Sequence, residues 1–233
     1  MRYLVAGRHP WNQQHFDELT DSRCQGWEFC NSPEQLIKLT GVSCEYRFIF
    51  FLHWSEKIPE HLLARYECIC FHMTDVPYGR GGSPLQNLIA RGHRKTVLTA
   101  LRMTAEFDAG PVYMKRELSL EGGSAEEIYQ RASRLSCEMA KEIAASEPQP
   151  TEQVGEVVVF KRRKPAESQL PVNSSDLMNV FDHIRMLDAE GYPQAFLEIG
   201  NLRFEFSRSA LYHDRIQADV KITKVINKEV TQP

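Results

Sequence analysis

The chain lacks any Cys-x-x-Cys pair and any His/Cys spacing of zinc type, although six cysteines (24, 30, 44, 68, 70 and 137) are scattered through its 233 residues. In a chain of this size that excludes a disulfide framework and a structural zinc module, and the cysteines read as reduced, mostly packed thiols. Long apolar runs are missing too. The longest is Phe48–Leu52, five residues, against the roughly 20 that cross a bilayer, and the opening stretch Met1–Gly7 is too short for the apolar core of a secretory signal. No membrane association and a cytoplasmic location are therefore expected. Charge of one sign is not in excess: 28 Lys plus Arg face 31 Asp plus Glu, a net charge of -3, which gives no overall footprint for nucleic acid or an anionic surface. Glycine (13) and proline (12) show no low-complexity bias. What remains is an ordinary globular composition, 42% hydrophobic and 25% charged, in a length that suits one or two domains.

Runs that read as strands, Arg2–Ala6, Trp27–Cys30, Tyr46–Leu52, Glu67–Phe71, Thr96–Met103 and Val112–Leu118, alternate with helical patterns, the rhythm of an α/β sheet. Ser32-Pro33-Glu34-Gln35 supplies a cap, a first-turn proline and a capping-box Gln, with Gly41 placed to end that helix; Ser83, Pro84 and Gly92 punctuate a second. Ser124 and Glu127 form another capping box, ahead of Ile128, Ala132, Leu135, Met139 and Ile143 at helical spacing, a stripe made to cover one face of the sheet. Glu147-Pro148-Gln149-Pro150 reads as a connector, followed by a strand at Glu156–Phe160, a polar segment and a helix at about Ser175–Leu187 with Leu177, Val180, Phe181, Ile184 and Leu187 on one side. Beyond Gly191 the pattern is β: Ala195–Ile199, a Gly200-Asn201 turn, Leu202–Phe206 and Ile216–Thr223. The expectation is an α/β domain over 1–186 and a small C-terminal β subdomain over 187–233.

The segment that suggests chemistry is Cys70-Phe71-His72-Met73-Thr74-Asp75-Val76-Pro77-Tyr78-Gly79-Arg80-Gly81-Gly82-Ser83-Pro84, a strand that ends at a His and runs through a Gly-rich loop into a capped helix. In open α/β sheets ligands bind outside the carboxyl ends of strands, where His72 would stand. The alternative is a structural, hydrogen-bonded histidine.

This segment resembles the signature of the folate-dependent formyltransferase family, in which a strand ends Asn-x-His and continues with a Ser/Thr, a Pro, an Arg-Gly and a Pro. His72, Thr74, Pro77, Arg80-Gly81 and Pro84 hold those places without a gap. The family's Leu-Asp-x-Gly loop is matched by Phe107-Asp108-Ala109-Gly110, 36 residues after His72. Further likeness lies in Phe51-Leu52-His53-Trp54 with Ile58-Pro59, and in Phe160-Lys161-Arg162-Arg163-Lys164-Pro165 through Ala195-Phe196; about 180 residues are covered. The resemblance implies a Rossmann-like core, helices on both faces of a mostly parallel sheet, and transfer of a formyl group from 10-formyltetrahydrofolate to a primary amine, with no metal. It also implies His72 as the group that donates to the oxyanion and shuttles the proton, Asp108 as its orienting partner, and cofactor contacts at His53, Trp54, Thr104, Ala105, Glu106 and Phe107. Trp54 reads equally as a core residue.

The family's Asn is Cys70 here. Residues 70 and 72 point to the same side of a strand, so the thiol belongs to the catalytic set either as a packed neighbour of His72 or as a nucleophile; Cys68 on the same face favours packing. The acceptor is approached by what is missing. About 40 residues follow Gly191, which does not match the further C-terminal domain of the family's tRNA enzymes, so nucleic acid is not the expected partner. The phosphate loop of the purine branch is replaced by Gly7-Arg8-His9-Pro10-Trp11-Asn12. The sugar branch remains, and with it a nucleotide-linked amino sugar of bacterial surface glycans, contacted by Arg8, Trp11, Asn12, Thr74 and Arg80. The alternative for residues 8–12 is a solvated turn, and a non-catalytic binding protein is the alternative for the whole chain. The β subdomain is a candidate homodimer surface.

Overall fold

A computed structural model describes residues 1–20, 26–41, 45–171, 173–174 and 176–225. Cys24, Cys44 and Ser175 of the sequence reading lie outside the described residues. In chain order the elements are β1 (Tyr3–Gly7), α1 (Pro10–Leu19), β2 (Trp27–Cys30), α2 (Pro33–Gly41), β3 (Phe48–Leu52), α3 (Glu60–Arg65), β4 (Cys68–His72), β5 (Tyr78–Gly81), α4 (Pro84–Ala90), β6 (Lys95–Arg102), β7 (Val112–Ser119), α5 (Ala125–Ser146), β8 (Val158–Phe160), α6 (Leu177–Arg185), β9 (Ala195–Ile199), β10 (Leu202–Leu211) and β11 (Ile216–Lys224). Contacts gather them into two units: Met1–Pro84 with Arg94–Leu120 and Ile128–Lys161, and Leu85–His93 with Glu121–Glu127 and Arg162–Pro233.

The first unit is built on a six-stranded sheet of order β2-β1-β3-β4-β6-β7. The first four strands are parallel; β6 pairs antiparallel with both β4 and β7. All five residues of β3 are buried, as a central parallel strand covered on both faces requires. Strand alternation sorts the side chains: Leu4, Ala6, Ile49, Phe51 and Cys68 form one cluster with Leu36 of α2 and Leu62 of α3. From the other face the Tyr3 hydroxyl donates to the Ala144 carbonyl of α5 at 3.2 Å, and Ile128, Ala132, Met139 and Ile143 of the expected stripe are buried. Helices thus cover both faces, and the carboxyl ends of β1, β3 and β4 share one edge.

Local chemistry accounts for most element ends. The Gln35 amide donates to Ser32 Oγ at 3.2 Å, while Gln35 Oε1 accepts from Asn31 at 3.0 Å, one residue earlier than a regular capping box. At α5 both halves of the Ser124/Glu127 box form. Two elements run against the sequence reading. Residues 8–12, for which a solvated turn is the alternative to acceptor contacts, contain the start of α1: Pro10 occupies the first turn, where no N–H is needed, and Asn12 Oδ1 accepts from the His9 amide at 3.0 Å. The Gly-rich loop contains β5, which pairs with β8. Because β5 is so short, the strand expected from Glu156 begins only at Val158, whose amide donates to Pro77 at 3.1 Å.

The second unit holds an antiparallel sheet, β11-β10-β9. Gly200, at φ +58°, turns the β9–β10 hairpin as expected. Strand β10 continues past Phe206 to Leu211 through an irregularity between Ser207 and Ala210. Helix α6 starts at Leu177 because Asp176 caps it, accepting from the Met178 amide at 3.0 Å. Ile184 and Leu187 are buried, but Leu177 stays 38% exposed, off the packed side. Among the described residues no helix is long and apolar enough to cross a membrane.

Candidate active site

Strand β4 delivers His72 to the carboxyl edge of the sheet, where the residue is buried. Its Nε2 lies 2.8 Å from the Gly79 carbonyl. A carbonyl only accepts, so the hydrogen sits on Nε2, and Nδ1 faces the Asp108 carboxylate, 3.5 Å from Oδ1. The same Gly79 carbonyl accepts from Thr74 Oγ1 at 3.2 Å, and the Thr74 carbonyl accepts from Thr99 Oγ1 at 2.7 Å. Thr74 is wholly buried beneath this turn. Gly79 must be glycine: its φ is +78°, and a Cβ would stand 2.6 Å from Thr74 Cγ2.

Asp108 itself has φ +55°, uncommon for a side-chain-bearing residue. Its Oδ2 accepts from the Gly81 amide at 2.9 Å. Its main-chain carbonyl accepts from Gln153 Nε2 at 2.8 Å, and Gln153 Oε1 accepts from Arg80 Nε and Nη2 at 3.1 and 2.8 Å. Arg80 also lies 3.6 Å from Glu106. Sequence reasoning missed Gln153, which sits in a polar stretch with no periodicity. The Thr151–Val112 bridge, two residues earlier, brings this stretch to the site.

Cys70 is half-buried, and its pKa is raised by desolvation first and the Asp108 carboxylate second. At neutral pH the group is a thiol, a weak donor and a poor nucleophile. One strand over, His53 follows β3 with φ +47°; its ring lies 4.2 Å from that of Tyr129 and 5.0 Å from that of His9. The residue as a whole is exposed, but desolvation of its ring among these aromatics, and then the His9 imidazole, lower its pKa. Trp54 packs edge-on to Phe51, with its indole N–H buried and unpartnered. Thr104, Ala105, Glu106 and Phe107 form an exposed loop in which Phe107 is 71% exposed.

The expected acceptor residues divide. Arg8 is at the surface and paired with Glu56. Trp11 and Asn12, far from forming a solvated turn, are interior: Trp11 stacks on His9 at 4.2 Å, and Asn12 Nδ2 donates to Ser133 Oγ at 2.8 Å. With Oδ1 taken by His9, the Asn12 amide is occupied by the fold. The structure thus joins His72, Asp108, Cys70, Thr74 and Arg80, and leaves Asn12 as support. Among the described residues no three His, Cys, Asp or Glu side chains gather as for a metal. A cavity of about 620 Å³ opens at the opposite ends of these strands. Its Arg2, Arg47 and Arg102 pair with the chain's own Glu28 and Glu67, and it holds none of the expected site residues.

Residues 165–223 match a family model described as the methionyl-tRNA formyltransferase C-terminal domain. A methionyl-tRNA formyltransferase of Mesoplasma florum is 27% identical over 182 residues, 75% of this chain and 57% of its own length. The chain thus spans little more than half of such relatives. The solved structure of a methionyl-tRNA formyltransferase from Clostridium thermocellum is 39% identical, with TM-score 0.89 over 96% of this chain and 99% of that one. A sugar N-formyltransferase from Shewanella sp. shares the fold, with 18% identity and TM-score 0.69 over 91% of this chain and 98% of its own.

Proposed function

The chain belongs to the formyltransferase family, and from that premise we propose that it moves the formyl group of 10-formyltetrahydrofolate onto the primary amine of a nucleotide-linked amino sugar. The observation that carries the reading is the pairing of buried His72 with half-buried Asp108 at the carboxyl edge of the sheet, with both members on the family's motifs.

The residues near this edge suit a flat, polar-rimmed ring: Phe107 offers an exposed aromatic face, and the Trp54 indole N–H lacks a partner. Trp54, His53 and the loop Thr104–Phe107 would hold the folate. When bound, it supplies an activated formyl carbon. His72 keeps its Nε2 hydrogen anchored on the Gly79 carbonyl, which leaves Nδ1 to take the proton released as the amine's bond to the formyl carbon forms and to give it to the folate nitrogen as the old bond to that carbon breaks. Asp108 orients the ring and offsets the positive charge it gains. Cys70, held as a thiol, is a weak donor where the family has an amide, so backbone N–H groups and the charged imidazole carry more of the oxyanion stabilisation. Arg8 would reach the acceptor's phosphates only by exchanging its Glu56 partner for one of them.

Methionyl-tRNA as acceptor is a second reading, favoured by the name of the Clostridium thermocellum relative. Charge pairing in the C-terminal sheet weighs against it. Arg203 pairs with Glu198 and Glu205, Arg208 with Asp219, Arg215 with Asp214 and Lys221 with Glu205. RNA phosphates would have to displace those carboxylates.

The test incubates the protein with 10-formyltetrahydrofolate and either a panel of UDP- and dTDP-amino sugars or methionyl-tRNA, with N-formyl products read by mass spectrometry. One formylated sugar nucleotide and no formylmethionyl-tRNA is the expected result. The reverse outcome overturns the sugar acceptor. Neither product, together with no folate binding, overturns formyl transfer in favour of a non-catalytic binding protein.

A further inference from the structure

We infer that Gln153 is a positioning residue of this site, one that acts on the reaction solely by holding Asp108 against His72; the claim rests on the formyl-transfer reading. Its carboxamide is fully used. Nε2 donates to the Asp108 and Gly110 carbonyls, both at 2.8 Å, and Oε1 accepts two hydrogen bonds from the Arg80 guanidinium. The amide's orientation is forced, since a guanidinium can only donate and a carbonyl can only accept.

These bonds close a ring. Asp108 Oδ2 holds the Gly81 amide, Gly81 adjoins Arg80, Arg80 holds Gln153, and Gln153 returns to the Asp108 carbonyl. The ring spans the two loops that meet at His72. Asp108 needs such support because its left-handed φ of +55° costs energy in a residue that carries a Cβ. The anchoring comes from the chain just before Gln153, where Thr151 and Val112 exchange hydrogen bonds at 2.7 and 2.9 Å. Removing the amide frees the Asp108 main chain and Arg80 together, and the 3.5 Å approach to His72 Nδ1 loses its fixed geometry. No acceptor or folate contact is required of Gln153.

The test compares Gln153→Ala and Gln153→Glu with the wild-type chain. The Glu variant keeps the bulk and the contact to Arg80 but turns an oxygen on the two carbonyls. Misplacing a reacting group by about 1 Å can cost about 10²-fold, so kcat should fall roughly 10- to 100-fold in both variants while the folate KM stays within about threefold. In an Asp108→Ala background Gln153→Ala should cost less than about twofold more, because the route through Asp108 is already cut. An unchanged kcat in the single variants overturns the assignment, and so do losses that multiply in the double variant. If the wild-type chain transfers no formyl group to any acceptor, it is the formyl-transfer reading that falls. The positioning claim is then decided by ¹⁵N NMR of the His72 ring: Gln153→Ala must shift its nitrogens as Asp108→Ala does, and unmoved resonances overturn it.

Discussion

The Asp108 carboxylate is shared between His72 and the Gly81 backbone, with Oδ1 3.5 Å from His72 Nδ1 and Oδ2 2.9 Å from the Gly81 amide. The hydrogen bond from Gly81 fixes the carboxylate, and Nδ1, which carries no hydrogen while Nε2 holds it, faces Oδ1 as an acceptor open to a proton. His72 is gripped at its other nitrogen by the Gly79 carbonyl. The imidazole is therefore oriented before any substrate arrives, and orientation of this kind lowers the cost of reaching the transition state.

His72→Asn should abolish nearly all turnover while leaving folding almost intact. The fold loses one hydrogen bond, to Gly79, worth about 0.5–1.5 kcal/mol. Steady-state rates and thermal melting check this; turnover within tenfold of wild type would remove His72 from the mechanism.

Asp108→Asn separates charge from shape. Asn tolerates the left-handed backbone and can still accept from Gly81, so the loop should persist. The negative charge facing Nδ1 is lost, and kcat should drop about 10²–10³-fold, the scale of one electrostatic group at a reacting centre. A crystal structure of the variant with an unmoved loop, together with the rate, makes the comparison; an unchanged rate would mean that Asp108 only shapes the loop.

Much of this was legible in the sequence because the signals are local. Strand β4 ending in His72, the Ser124/Glu127 box and the Gly200-Asn201 turn depend on near neighbours, and they stand within a residue or two of where the pattern put them. The turn alternative at residues 8–12 fails because a proline opens a helix as readily as a loop. Thr74 and Asn12 fitted a binding role by position, but burial consumed their polar atoms inside the fold. Gln153 was invisible because its four partners come from Arg80, Asp108 and Gly110, remote in sequence.

Gly110→Ala should destabilise the chain. A Cβ there would lie 1.9 Å from the Arg102 carbonyl oxygen, and backbone cannot yield as a side chain can. A loss of about 1–3 kcal/mol is expected, the usual range for overpacking. Gly41→Ala, at a position with open space and no left-handed φ, serves as control and should change stability by less than about 0.5 kcal/mol. Urea denaturation of both variants decides it, and equal midpoints would contradict the close approach at Gly110.

Alkaline pH should unfold the protein through its packed thiols. Burial raises Cys30, Cys68 and Cys137 to about 12 from 9.0. A group whose pKa is raised in the folded state favours folding while it stays protonated. That contribution is complete below pH 9 and is lost as pH climbs toward 12. The melting temperature should fall steadily across this window, and less steeply in Cys137→Ala than in wild type once each is referred to its own value at pH 8. A flat profile would show that these thiols are solvated.

Cys70 decides between two mechanisms. Burial, and then the Asp108 carboxylate, hold its thiol protonated, which suits a packed neighbour of His72 and not a thiolate nucleophile. Cys70→Ser, nearly the same shape, should then cost less than about tenfold in kcat, and Cys70→Asn should match or exceed wild type by restoring an amide donor worth up to about 10²–10³-fold. Iodoacetamide at pH 8 should leave Cys70 unmodified in the folded protein. A nucleophilic thiol would behave oppositely: neither hydroxyl nor amide replaces it at neutral pH, so both variants would be dead. Mass spectrometry of a quenched reaction adds a direct reading, since an S-formyl group on Cys70 can arise only by the covalent route and would overturn the packing role.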